Sequence, residues 1–230
     1  MSLVLFSGGA AHGLVSSVEN EFEKTTGERI DGSYGAVGIY RDNYLAGDHA
    51  DILILSRALI DGLVEAGEIA SADMHDIGAV RTAVAVRVGD KQPDISDAGK
   101  LKAALSAASD IYSPDLKLSS AGIHFAKVLH ACGIPDNDPR LHLHPNGASA
   151  MNAMAAQQGG NPIGSTQITE ILLVDGVESI GMLPGEFELS TIYTIGITRR
   201  CAMRKEAEAL TELLTGGFAV DLRPKAGFGL

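Results

Sequence analysis

YGAVGIYRDNYLAGDHADILILSR, Tyr34 to Arg57, holds three signals in a row. Ala36, Val37 and Gly38 are small or apolar residues between Gly35 and Ile39, the composition of a tight turn. A helix-period segment follows, predicted over 39–46, with Ile39, Tyr40, Tyr44 and Leu45 on one side; Gly47 stops it and Asp48-His49 makes the turn. Ile52-Leu53-Ile54-Leu55 is then a short unbroken apolar run, the pattern of a strand buried on both faces. A helix that begins at a small-residue turn presents unpaired N–H groups and a partial positive charge, which suit an anion.

The start of the chain repeats this pattern. Leu3-Val4-Leu5-Phe6 reads as a buried strand, Ser7-Gly8-Gly9-Ala10-Ala11-His12-Gly13 as a small-residue loop, and Leu14, Val18 and Phe22 recur at helical spacing. Two such loops in one domain can converge at the carboxyl ends of parallel strands, where open α/β sheets bind ligands. The first set of candidate contacts is therefore Ser7, Gly8, Gly9, Ala10, His12, Ala36, Val37 and Gly38.

Ala46-Gly47-Asp48-His49-Ala50-Asp51, with the two loops, resembles the molybdate-binding branch of the type 2 periplasmic solute-binding proteins. Asp110-x-x-Ser113-Pro114 followed by Ser120-Ala121-Gly122-Ile123 is similar to that family's Asp-Pro…Pro-Ala-Gly segment. The resemblance implies an α/β fold of two lobes, each a mixed sheet flanked by helices, joined by two crossing hinge strands with a ligand cleft between them. Long β-prone runs near 78–88 and 191–198 are the candidate hinges. The expected division is a first lobe of residues 1–81 plus 197–230 and a second of 82–196. The loops at Ser119-Ser120-Ala121-Gly122, Asn146-Gly147-Ala148-Ser149 and Ser165-Thr166-Gln167 each precede a predicted helix, so Ser120, Ala121, Gly147, Ala148, Ser165, Thr166 and Gln167 are the candidate contacts of the second lobe.

The departures from that family narrow the ligand. Two serines that the molybdate binders use as hydroxyl donors match Ala10 and Val37 here, and a family tyrosine matches Gln167. A buried oxyanion short of donors loses about 1–3 kcal/mol per unmet bond. Val37 adds an apolar wall, which suits a ligand containing carbon. The expected function is capture of a small anion, an organic carboxylate in preference to molybdate, for ABC-type transport. The alternative rests on Ile163-Gly164-Ser165-Thr166-Gln167-Ile168-Thr169-Glu170-Ile171, which looks more like the aconitate isomerases on the same scaffold. Moving a double bond in a tricarboxylate needs a base and an acid; His12 is the candidate catalytic base and Glu170 a weaker one.

Other residues read as structural. His142 and His144 share a strand face without a third metal ligand, so no metal is expected. Cys132 and Cys201 read as free, semi-buried thiols and Met151 and Met154 as core. Arg57, Arg81 and Arg87 read as structural ion pairs that could also reach a carboxylate, and Arg199-Arg200 as solvated. Gly8-Gly9 lacks G-x-G-x-x-G and a Walker lysine, so neither a nucleotide nor any other cofactor is expected.

Eighteen basic against 29 acidic residues give a net charge of −11, which disfavours nucleic acid and anionic membranes as partners. No apolar run approaches the roughly 20 residues of a membrane span, so no membrane insertion is expected. The partners expected are a small anionic ligand and an ABC permease, and the expected state is a monomer. The first strand begins at residue 3, leaving no signal peptide; the protein is expected in the periplasm if a leader has been removed and in the cytoplasm otherwise.

Overall fold

The computed structural model describes residues 2–229, which form two compact units: 2–80 with 191–229, and Arg81–Ser190. The first unit contains β1 (Ser2–Gly8), α1 (His12–Thr26), β2 (Arg29–Gly35), α2 (Val37–Ala46), β3 (Ile52–Ser56) and α3 (Arg57–Glu65). Strand β4 (Ile69–Arg87) enters the second unit at Arg81. There follow α4 (Ala98–Ala107), β5 (Ile111–Pro114), α5 (Ser120–Ala131), β6 (Leu141–His144), α6 (Gly147–Ala156), β7 (Ile163–Gln167), α7 (Ile168–Leu172) and β8 (Val177–Met182). Strand β9 (Ser190–Thr198) returns to the first unit, which ends with α8 (Arg204–Thr215), α9 (Leu222–Lys225) and β10 (Phe228–Gly229).

In the first unit β1 lies between β2 and β3, parallel to both, with Gly8 opposite Gly35 and Ser7 opposite Ile54. The carboxyl ends of the three strands are therefore side by side. Strand β9 closes onto β3 antiparallel, pairing Ser56 with Tyr193. Leu3, Leu5 and the whole run Ile52–Leu55 are fully buried, as unbroken apolar strands require. Leu14, Val18 and Phe22 of α1 are buried with them, and α8 packs on α1 through Ala207, Leu210 and Leu214. Each such large side chain contributes roughly 1.5–3 kcal/mol on burial. Gly27 and Gly47 end α1 and α2 with φ of 74° and 118°, the left-handed conformation that glycine adopts without a Cβ clash.

Asp51 gives the Ala-Gly-Asp-His-Ala-Asp run a structural role. Its buried carboxylate accepts from the N–H of Val4 at 2.9 Å and of Ala202 at 2.7 Å, while its own N–H donates to the Val4 carbonyl. Two elements differ from expectation. Helix α2 starts at Val37, two residues early, so its buried positions are Val37 and Tyr44, one heptad apart, and Ile39 and Leu45 face solvent. Strand β4 begins at Ile69, well before the expected 78, and its first half is largely polar. Arg200 is also not simply solvated: its guanidinium lies 3.7 Å over the Tyr44 ring and donates to the Tyr44 carbonyl.

In the second unit β5 is parallel to β6 and β7, and β4 pairs antiparallel with β7 and β8. Val84, Leu101, Leu105, Ile111, Phe125 and Leu129 form the core on one side. On the other, α6 brings Met151 and Met154 down onto β7, where a Cβ on Gly164 would lie 2.4 Å from Met151 Cε. A side chain at Gly164 would push the flexible end of Met151 aside. Both methionines are fully buried, and both cysteines are free, Cys132 buried and Cys201 partly so.

Candidate functional site

The first unit brings its two small-residue turns together. Strand β1 ends at Ser7-Gly8, a single 3-10 turn covers Gly9–Ala11, and α1 begins at His12; β2 ends at Gly35 and α2 begins at Val37. A Cβ on Gly8 would stand 2.7 Å from Val37 Cγ1 and 2.9 Å from Tyr193 Cε1. Gly8, Val37 and Tyr193 thus pack against one another, and only a glycine fits between the other two. Ala10, Ala36 and Val37 are buried and supply an apolar wall, Gly9 is half-buried, and Gly38 lies within the first turn of α2.

The polar character of this rim is main-chain. The helical run into α1 opens at Gly8, before the 3-10 turn, and α2 and α3 open at Ala36 and Ser56; at none of the three does the capping side chain bond a first-turn N–H. Ser, Thr, Asp or Asn usually meets those donors. Ser7 is fully buried, and its hydroxyl donates to the Gly8 carbonyl at 2.9 Å. What this end of the sheet can offer a ligand is therefore a set of N–H dipoles framed by alanine and valine, an arrangement that favours a negative group attached to carbon.

His12 lies flat on Tyr34, ring centroids 4.0 Å apart and planes 22° from parallel. Burial lowers the imidazole pKa from its ordinary 6.5, and the nearby Glu19 carboxylate only partly opposes this, so the neutral ring is favoured. A neutral imidazole can accept a proton, the requirement for a base. The Tyr34 phenol folds back over Gly32, and its buried hydroxyl has no hydrogen-bond partner among the described residues; burial pushes its pKa up.

The arginines are paired within their own units. Arg57 bonds Asp61 at 2.9 Å and Asp76 at 2.7 Å, and Asp76 also accepts from Thr194. Arg81 meets Glu188 at 3.0 Å, and Arg87 holds Asp90 and the carbonyls of Gln157 and Gly160.

The second unit repeats the strand-to-helix device but fills it from within. Helix α5 is capped by the Ser119 hydroxyl, with Ser120 half-buried and Ala121 buried behind it. Helix α6 is capped by Asn146, whose Oδ1 accepts from Ser149 N at 2.8 Å. Glu170 then takes the remaining donors. Its carboxylate accepts from Gly147 N at 3.1 Å, from the Thr166 hydroxyl at 2.6 Å and from Ala148 N. The side chain is fully enclosed, and burial raises its pKa despite the three donors. A Cβ on Gly147 would stand 2.1 Å from Glu170 Oε2, so glycine is needed here for the carboxylate to reach the helix start.

Ser165-Thr166-Gln167, expected as a loop, is the end of β7 and is buried. It stays in the ladder because β4 continues opposite it, pairing Ala83 with Thr166 and Thr82 with Gln167. The Ser165 hydroxyl donates to the Ala83 carbonyl at 3.1 Å.

The sequence reading missed three residues of interest. Tyr193 reaches the Gly8 turn from β9, and no local pattern marks it out within a β-rich run. Thr82 and Thr169 carry buried hydroxyls without a hydrogen-bond partner among the described residues. Each is a polar group that desolvation penalises, the kind of group a ligand can satisfy.

His142 is engaged structurally: its Nε2 lies 2.8 Å from Asp110 Oδ1 and its ring stacks on Tyr112 at 4.7 Å. A pocket of about 500 Å³ also opens in the second unit, with Val86, Pro93, Ala104 and Ile163 in its lining, but it includes none of the predicted contact residues.

A family model described as bacterial extracellular solute-binding protein matches residues 3–229. An aconitate isomerase from Pseudomonas sp. is 26% identical over 225 residues, 93% of this chain and 82% of that protein. Among solved structures, the Azotobacter vinelandii periplasmic molybdate-binding protein matches with a TM-score of 0.75 at 17% identity, covering 99% of both chains. The sulfate-binding protein SubI from Mycobacterium tuberculosis H37Rv matches with a TM-score of 0.72 at 17% identity, covering 99% of this chain and 86% of the other. These structural likenesses carry the fold class, the two-lobed α/β architecture of type 2 binding proteins.

Proposed function

Because the chain belongs to the bacterial extracellular solute-binding protein family, we propose that it captures a small organic carboxylate at the helix starts of its first unit and delivers it, as a monomer outside the cytoplasm, to an ABC-type permease. The observation that carries this reading is the row of helix starts without side-chain caps at the carboxyl ends of β1, β2 and β3, walled by Ala10, Ala36 and Val37. Main-chain donors suit a carboxylate, and the apolar wall suits its carbon skeleton. A bare oxyanion would find no hydroxyl at Ala10 or Val37, at a cost of about 1–3 kcal/mol for each bond left unmade. No described helix is long and apolar enough to cross a membrane.

A thermal-shift screen of molybdate, sulfate and small mono-, di- and tricarboxylates tests the reading. A carboxylate present at 100 times its Kd adds about 2.7 kcal/mol to stability, or roughly 5–10 °C in Tm for a chain of this length. Stabilisation by molybdate alone at micromolar concentration overturns it.

A second reading is favoured by one relative and one side chain: the aconitate isomerase is 26% identical, and His12 stands at a helix start with its pKa lowered by burial. On this reading His12 takes a proton α to a carboxylate of a tricarboxylate, the double bond shifts along the allylic unit, and the proton is returned to the carbon at its other end. Incubation with trans-aconitate in heavy water tests it. Deuterium uptake lost in His12→Ala supports the enzyme, and no exchange in the intact protein rules it out.

A further inference from the structure

Glu170 is the one fully buried carboxylate of the second unit whose partners are themselves candidate ligand contacts: Gly147, Ala148 and Thr166. The sequence assigns those three to an incoming anion, whereas the structure points them at a side chain of the protein. Position 147 is built for this arrangement, since a methyl group there would collide with both Glu170 Oε2 and Thr166 Oγ1. Asn146 meanwhile holds the N–H of Ser149, so the exposed donors of the α6 start are few.

We propose that Glu170 is an internal acceptor that closes one candidate anion site: by occupying the α6 start it withdraws Gly147, Ala148 and Thr166 from solute binding and keeps compact tetrahedral oxyanions from that helix start. The inference rests on the anion-binding reading and deepens it. A tetrahedral dianion such as sulfate concentrates its charge on four oxygens and needs many convergent donors when it is desolvated. A carboxylate needs fewer, and its carbon skeleton is satisfied by apolar walls. Removing three donors from the α6 start therefore penalises binding of the first class there much more than binding of the second. Glu170 acts here as a specificity-determining residue through the groups it holds and touches no solute itself.

The test uses the full chain with acetate and sulfate as probes. Glu170→Ala leaves three donors facing a space the size of a carboxyl group. We expect 20 mM acetate or sulfate to raise its Tm by at least 3 °C more than that of the wild type, and its sulfate affinity to rise at least tenfold. Glu170→Gln still accepts at Gly147 and Ala148 and is expected to show neither gain. Equal anion responses in wild type and Glu170→Ala overturn the proposal. Should Glu170→Ala fail to fold, amide NMR of the wild type decides. Gly147 and Ala148 resonances that stay fixed as sulfate is titrated to 50 mM support the withdrawal of these donors, and saturable shifts at either overturn it. A carboxylate screen that finds no ligand for the wild type would count against the proposed function alone, because anion rescue of Glu170→Ala reads the donors directly.

Discussion

The two units solve the same problem in opposite ways. Each sends parallel strands into helices whose first turns carry unpaired N–H groups. In the first unit the starts of α1, α2 and α3 receive no side-chain cap. In the second, Asp97, Ser119 and Asn146 cap α4, α5 and α6, and Glu170 adds a buried carboxylate at α6. Caps are worth about 1 kcal/mol each, so the first unit forgoes stability that the second takes. Under the proposed function the bare starts of α1, α2 and α3 are kept for an anionic solute, although α7 and α8 also lack side-chain caps.

The contrast can be broken most strongly at Glu170. Replacing it with alanine leaves up to three buried donors unmet, at about 1–3 kcal/mol each; urea denaturation in anion-free buffer should show an overall loss of about 3 kcal/mol or more, and Glu170→Gln should recover most of it. Gly8→Ala comes next. The added Cβ has no room beside Val37 and Tyr193, so about 1–3 kcal/mol of stability should go, together with any carboxylate response in the thermal-shift screen. Asn146→Ala should cost about 1 kcal/mol. The reciprocal change, Ala36→Asp, should stabilise the first unit by up to about 1 kcal/mol and abolish carboxylate binding, since the new side chain competes for the same donors. If Ala36→Asp left binding intact, the bare helix starts would have lost their explanation.

Acidity offers the smallest and most directional test. The folded pKa of Glu170 is raised by burial, so its contribution is fully present below the unfolded glutamate value of about 4.3 and is lost as pH rises through the folded value. Glu170→Gln should remove that slope from the stability profile. His12 runs the other way. Its folded pKa is lowered, so its contribution is present above the unfolded value of about 6.5 and is lost as pH falls from there through the folded value. His12→Gln should flatten the profile on that side.

The legible part of this protein is its short-range chemistry. Unbroken apolar strands, glycines at helix ends and small-residue turns each declare themselves within ten residues, so the α/β pattern and the Gly8–Val37 meeting point could be read from the chain. Long-range partnerships could not. Glu170 reaches back 23 residues to Gly147, and nothing near it in sequence says that it caps a different helix. Ser165-Thr166-Gln167 has the composition of a turn, and only the presence of β4 alongside keeps it extended. Tyr193 and Arg200 lie in or beside a β-rich run, and their contacts with Gly8 and Tyr44 depend on where that strand docks.

Asp51 ties together stretches that leave the ribosome far apart in time, Val4 47 positions before it and Ala202 151 positions after it. The second unit is continuous in the chain and can finish as soon as it emerges, whereas the first must hold an incomplete sheet open until β9 and the residues behind it arrive. During synthesis that waiting edge of β3 is the part most in need of a chaperone.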